Sequence, residues 1–222
     1  ERGWCIMLHM VRAHALADPD NQAEIRAACA RYPGAKLILA HAARGFNARN
    51  TVEGVGSIAD LANVWFDTSA ICEPDAFRAI LETFGPRRLM WGSDWPISEE
   101  RGKCVTVGTR FSWINPDTID AGNPAADPCP THLVGLESLR AVLDACDALG
   151  LDADDRRYLF HDNAARLLGL LEPTEGTGQA LYEHAKTRIP GGTQLLTKRP
   201  EMALPERWPS YFREARGCEV WD

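Results

Sequence analysis

Four apolar runs, each stopping on a polar or ionisable residue and each followed by a stretch with helical punctuation, constrain this chain more than any other feature. Residues 3–10 (GWCIMLHM) read as a short buried strand, and 18–34 (DPDNQAEIRAACARYPG) as a helix with Asp and Asn at its start and Pro-Gly after its end. Residues 35–47 (AKLILAHAARGFN) repeat the theme as an apolar run that stops at His41, and the DLA at 60–62 closes the helix expected after it. Residues 63–70 (NVWFDTSA) form a third strand, followed by 73–86 (EPDAFRAILETFGP), where Pro in the first turn and Gly-Pro at the end mark a helix. Residues 87–95 (RRLMWGSDW) are the fourth strand. Strands apolar throughout that alternate with helices predict a parallel sheet covered by helices, which is fold class α/β.

The strand ends recur at close to the roughly 30 residues per unit of a (β/α)8 barrel, so the pattern predicts a partial barrel of four strand-helix units. After the fourth strand, the irregular stretch 98–131 is long for a plain loop and is expected to cover or extend an active site. Two helices follow, 132–150 closing on Gly150 and 152–170 with an acidic first turn. The predicted organisation is a barrel-like domain over 1–171, a linker over 172–180 and a Pro- and Gly-rich tail over 181–222 that reads as the start of another domain. The chain opens without an initiator Met and runs at once into an apolar segment, as the interior of a longer protein would.

Composition narrows the function. A net charge of -7, with 24 Lys and Arg scattered along the chain, disfavours a phosphate-tracking surface and hence nucleic acid as a partner. No apolar run approaches the roughly 20 residues that span a membrane, and no secretory signal is visible. The seven cysteines are odd in number and lack a C-x-x-C pair, so they read as reduced thiols of a cytoplasmic protein.

His9, His41 and Asp94 all fall at the C-terminal ends of predicted parallel strands, the rim where barrels of this type build their active sites. Imidazole and carboxylate together suit a divalent ion such as Zn²⁺, whose bound water becomes acidic enough to supply hydroxide near neutrality. Taken singly, each residue has a structural reading: a hydrogen-bonded His at a strand end, a turn or cap Asp in Gly-Ser-Asp. Three at equivalent strand ends favour function, because separate structural explanations would have to coincide. Arg12 and Arg44, three residues after the two histidines, are candidates to grip a substrate carboxylate, with surface arginine as the alternative. Ser93 reads as a cap rather than a nucleophile, because GSDW lacks the Gly-x-Ser-x-Gly spacing. Ser69, His161, Asp162, Asn163, Trp91 and Trp95 read first as structural groups.

The pieces IMLHM, LILAHAARGFN, NVWFDTSA, RRLMWGSDWP and HDNAARLLGL, in this order, resemble strands five to eight and the closing helix of the amidohydrolase-related metal-dependent hydrolases. The resemblance covers residues 3–170 and implies the last four strand-helix units of a (β/α)8 TIM barrel. It also implies that His9 and Asp94 bind a divalent metal and that His41 assists the activated water, with Asp94 sharing in proton transfer. The family's first strand supplies a His-x-His pair to the metal, and no such pair occurs in this sequence. Four unclosed strands would leave open sheet edges, an invitation to self-association.

Residues 181–222, with LYEHAKTRIPGGTQLLTKRP and RGCEVWD, are similar to the opening of class III pyridoxal-phosphate aminotransferases. That resemblance implies pyridoxal phosphate only if an aminotransferase domain follows, and it excludes Lys186 and Lys198 as cofactor lysines. The resulting expectation is a metal-dependent hydrolase acting on an ester, lactone or amide of a small molecule, incomplete within this chain. The rivals are a non-oxidative decarboxylase of the same superfamily, whose substrate would be an aromatic carboxylic acid, and a non-catalytic module fused to an aminotransferase.

Overall fold

The computed structural model describes residues 5–116, 131–170, 177–193, 196, 199–202, 211–212, 214–217 and 219–221. The chain divides into two units, Glu1–Leu168 and Gly169–Asp222.

The first unit is α/β, built on a four-stranded parallel sheet in the order β1-β2-β3-β4. Its strands are β1 (Cys5–Leu8), β2 (Lys36–Leu39), β3 (Val64–Asp67) and β4 (Leu89–Met90). Leu8 lies opposite Leu39, Leu39 opposite Phe66, and Phe66 opposite Leu89, so the strand ends are level. The strands are shorter than the apolar runs predicted. β4 in particular holds two residues of the nine expected, because the chain leaves the ladder at Trp91, whose N–H bonds to the Leu159 carbonyl instead.

The two faces of the sheet are distinct. Leu39, Val64, Phe66 and Leu89 face the larger core, together with Ile25 and Cys29 of α1 (Pro19–Arg31), Phe77 and Ile80 of α3 (Pro74–Phe84), and Val142 and Cys146 of α4 (Val134–Ala148). Ile38 and Met90 face a smaller cluster with Leu167, against which Trp65 packs. Alternation at period two is therefore present within runs that read as apolar throughout. Phe66 and Phe77 are completely buried, each worth roughly 2–3 kcal/mol of transfer free energy.

Helix limits follow local chemistry. Asp18 caps α1 by accepting from the Asp20 and Asn21 amides at 2.9 and 3.3 Å, a bond set worth about 1 kcal/mol. In α3, Ala76, Phe77, Ile80 and Leu81 form one buried stripe. The helix stops at Gly85, whose φ of 74° suits a residue without Cβ. The helix after β2 is α2 (Ala48–Gly54), continued by a 3-10 turn over Val55–Ile58, so it ends before the predicted 60–62.

Two expectations are corrected. The stretch 98–131 is irregular only in part. Lys103–Val107 (β5) and Arg110–Ile114 (β6) pair as an antiparallel hairpin around Gly108 and Thr109, while residues 117–130 lie outside the described residues. The helix predicted over 152–170 is broken into α5 (Ala153–Arg157), a π-helical turn over Tyr158–Asp162, and α6 (Asn163–Leu167).

In the second unit, α7 (Thr177–Lys186) begins inside the predicted linker, most of which lies outside the described residues. A 3-10 turn over Pro200–Met202 and a small antiparallel pair, β7 (Glu214–Arg216) and β8 (Glu219–Trp221), complete what is described there. Lys198 lies outside the described residues. No helix among the described residues is long and apolar enough to cross a membrane.

Candidate active site

The site starts from an unusual piece of backbone. Beyond β2 the chain makes one left-handed turn, with φ of 56°, 49°, 62° and 59° at His41, Ala42, Ala43 and Arg44. For L-residues this conformation costs roughly 1–2 kcal/mol each, so it persists only where the surroundings fix it. Ala42 and Ala43 are fully buried, which leaves no room for larger side chains. Asp67, at the end of β3 and 4% exposed, accepts from the His41 amide at 2.9 Å and the Ser69 amide at 3.1 Å through Oδ1. Its Oδ2 is buried with no partner among the described residues. The Thr51 hydroxyl donates to the Ala42 carbonyl at 2.8 Å, and Arg44 donates to the Val11 and Arg12 carbonyls at 3.2 and 2.5 Å. Arg44 thereby ties the turn bearing His41 to the loop that follows β1.

These bonds fix His41, which is 8% exposed. Its Nδ1 lies 3.0 Å from the Ser69 carbonyl oxygen. A carbonyl only accepts, so Nδ1 carries the proton and the neutral ring keeps its lone pair at Nε2. The His9 ring meets the His41 ring edge-on at 4.7 Å, and Asp94 Oδ2 stands 3.8 Å from His41 Nδ1.

Asp94 is placed by the strand next door. Thr68 accepts from the Gly92 amide at 3.0 Å and donates to the Gly92 carbonyl at 3.3 Å, while its own carbonyl takes a bond from Ser138 at 3.2 Å. A Cβ at Gly92 would stand 2.6 Å from Ser69 Oγ, so a side chain there would have to turn that hydroxyl aside. Asp94 itself has a φ of 58°, and Ala70, after β3, one of 55°. Three adjacent strand ends thus carry backbone in the left-handed region, where functional sites often store strain.

A cavity of about 900 Å³ opens over these residues, with His9, His41 and Asp94 on its wall. Phe46 and Trp113 give it an apolar side, and Glu99, Glu100 and Arg101 add charge. The His41, Phe46 and Trp113 rings are contiguous, at 5.0 and 5.9 Å between successive centroids. Trp113 is carried by the β5–β6 hairpin, which is fastened to the body. Asn47 donates to the Gly108 and Arg110 carbonyls at 3.3 and 2.8 Å, the Ala48 amide donates to Thr106 Oγ1 at 3.0 Å, and the Glu73 carboxylate accepts from the Thr106 amide and hydroxyl. The hairpin is a fixed wall of the cavity.

The structure brings together His9, His41 and Asp94 on the wall of one cavity. Arg12 and Arg44 lie outside the cavity wall: Arg12 donates to Asn21 and Glu24 at 3.1 and 3.0 Å, and Arg44 holds backbone carbonyls. Sequence reasoning missed Asp67, Thr68, Phe46 and Trp113. Asp67 and Thr68 had a signal, an acid and a hydroxyl closing an apolar run. Trp113 had one in the period-two pattern around Gly108.

As donors for a divalent ion, His9, His41 and Asp94 are chemically suitable. Among the described residues, however, no three His, Cys, Asp or Glu side chains gather closely enough to hold one. His9 and Asp94 fit part of a coordination shell and do not complete it.

Comparison with known proteins gives the following. A family model described as "Amidohydrolase" matches residues 1–112. The chain is 29% identical over 125 residues to L-fucono-1,5-lactonase of Burkholderia ambifaria, a match covering 49% of this chain and 42% of the lactonase. It is similar to the crystal structure of an amidohydrolase from Burkholderia multivorans with bound HEPES, with a TM-score of 0.47 and 22% identity over 75% of this chain and 53% of that one. A second crystal form of an amidohydrolase from that organism, with bound zinc, matches with the same TM-score and identity over 75% and 52%. The chain thus spans about half the length of the proteins it matches.

Proposed function

This chain belongs to the amidohydrolase family, and on that premise we propose that it contributes His9, His41 and Asp94 to the active site of a metal-dependent hydrolase that opens a lactone or ester of a small molecule. The observation that carries the reading is the meeting in one cavity of three ionisable side chains from the C-terminal ends of three strands of one parallel sheet. The likeness to a lactonase supports lactones as the first substrates to try. We further propose that the sheet is the last four strands of an eight-stranded barrel, which accounts for residues beyond the C-terminal ends of β1, β2 and β4 lining one cavity.

His9 and Asp94 would supply two ligands to a divalent ion, zinc being the first candidate. A bound ion supplies a Lewis acid for the carbonyl and brings the ionisation of water toward neutral pH. His41 acts as the proton carrier: with Nδ1–H engaged by the Ser69 carbonyl, Nε2 is the atom that takes the proton from the attacking water. Asp94 sets a carboxylate beside Nδ1 as the ring becomes charged, and Nε2 returns the proton it took to the leaving oxygen. Phe46 and Trp113 hold the substrate ring against His41 and exclude bulk water.

Zinc titration of the full chain, read by the imidazole nitrogen resonances of His9 and His41, tests the reading. Saturable perturbation of His9, lost in Asp94→Ala, is expected. A His9 resonance indifferent to zinc would overturn it.

A further inference from the structure

We propose that a second cavity, at the opposite end of the sheet from His41, binds a phosphate-type oxyanion carrying two or more negative charges. This site does not depend on the proposed hydrolase activity. The cavity measures about 450 Å³ and is lined by Lys36, Trp65, Arg87, Arg88, Tyr158 and Arg166, among others. Lys36 opens β2, and Arg87 and Arg88 run directly into β4, so the cavity lies at the N-terminal strand ends. His41 and Asp94 follow the C-terminal ends.

The chain is acidic overall, at -7, and many of its cations elsewhere stand beside carboxylates, as Arg26 does with Asp60 and Arg156 with Asp147. Among the described residues, none of the four cations in this cavity has a carboxylate within ion-pair distance. Instead, Arg87 lies 3.7 Å and Arg166 5.4 Å from the Tyr158 ring centre, and Arg88 lies 4.5 Å from that of Trp65. Stacking on a ring holds a guanidinium by its face and leaves its N–H edge for an anion. Burial pulls Arg88 below the usual arginine range, as expected of a cation whose countercharge is missing.

These cations are also held in place. Asn163 donates from Nδ2 to the Pro86 carbonyl at 2.7 Å and the Leu89 carbonyl at 2.8 Å, clamping the turn that presents Arg87 and Arg88. Lys36 donates one of its three protons to the Leu167 carbonyl at 2.7 Å. Tyr158 comes from the π-helical turn, a local irregularity often retained at binding sites. Fixed guanidinium forks with an ammonium favour phosphate oxygens, and an anion of at least two charges balances them better than a single carboxylate.

Titration of the isotope-labelled full chain with inorganic phosphate, and separately with pyrophosphate, at constant ionic strength set by sodium chloride, tests this. The local readout is the Trp65 indole N–H resonance. It should shift saturably, at lower concentration for pyrophosphate than for phosphate. Arg88→Gln should weaken binding by about tenfold or more, the loss of one charged hydrogen bond, and Arg26→Gln should leave it unchanged. Arg166→Gln, at an exposed position on α6, provides a second variant that spares the sheet. A Trp65 resonance that moves no more with phosphate or pyrophosphate than with chloride, or that moves in both cavity variants as it does in the parent, overturns the proposal.

Discussion

Asp67→Ala is the sharpest perturbation of the candidate site, because one carboxylate oxygen holds two amides that nothing else among the described residues satisfies. Removing it leaves the His41 and Ser69 amides unpaired beneath a buried turn. Each buried, unsatisfied donor costs about 1–3 kcal/mol. The loss is partly offset because Oδ2, which is buried without a partner, also disappears. Relaxation of the left-handed turn offsets a further part of the loss while it disturbs the site. Four L-residues held at positive φ carry roughly 1–2 kcal/mol each, and freeing the His41 amide lets the turn relax away from the geometry that aims Nε2. A net destabilisation of about 3 kcal/mol follows, which at a urea dependence of about 2 kcal/mol per molar lowers the midpoint by about 1.5 M. Asp67→Asn keeps an acceptor at Oδ1 and should lose no more than about 1 kcal/mol. Urea unfolding followed by circular dichroism and tryptophan fluorescence distinguishes the two. Equal midpoints for Asp67→Ala and the parent would refute the claim that this carboxylate holds the turn.

Two further predictions concern packing and ionisation. Gly54→Ala places a methyl group 2.3 Å from the Leu16 carbonyl oxygen and 2.8 Å from the Ala17 amide nitrogen. Because backbone cannot swing aside, a loss of about 1–3 kcal/mol is expected, and an unchanged melting temperature would contradict the packing described. Burial pushes the Cys72 thiol up to about 11 and the Cys104 thiol up to about 12. In the unfolded chain both thiols ionise near 9, so there the unfolded state binds fewer protons than the folded one and stability falls as pH rises from about 9 toward 12. Urea midpoints between pH 8 and 11 should decline in the parent and decline less in a Cys72→Ala, Cys104→Ala double variant; parallel declines would refute the assignment.

Much of the fold was legible because strand-helix alternation has a local signature. Asp18 and Pro74 start helices, Gly85 and Gly150 stop them, and each is readable from residue type alone. The hairpin over Lys103–Ile114 was readable in principle, since Val105, Val107, Phe111 and Trp113 alternate about Gly108. It was obscured by the Pro- and Gly-rich residues beyond it. The break in the helix after residue 157 left no periodic trace, because a π-helical turn changes hydrogen-bond register without changing which residues are apolar. His9, His41 and Asp94 were found as strand-end positions. Asp67 was not, because its role depends on a backbone amide one strand away, and such pairings exist only after the sheet has formed. The same holds for Arg44, which sequence alone offers as a substrate ligand and the fold uses as a brace on the loop after β1.

The most direct test of the central claim is titration of the isotope-labelled full chain with a sugar 1,5-lactone, followed by the imidazole nitrogen resonances of His41, which lines the cavity with Phe46 and Trp113. The account predicts a saturable shift of the His41 resonances, and Trp113→Ala should weaken binding by about tenfold or more, with far-ultraviolet circular dichroism unchanged. His41 resonances that do not move with the lactone, or that move in Trp113→Ala as they do in the parent, would contradict it.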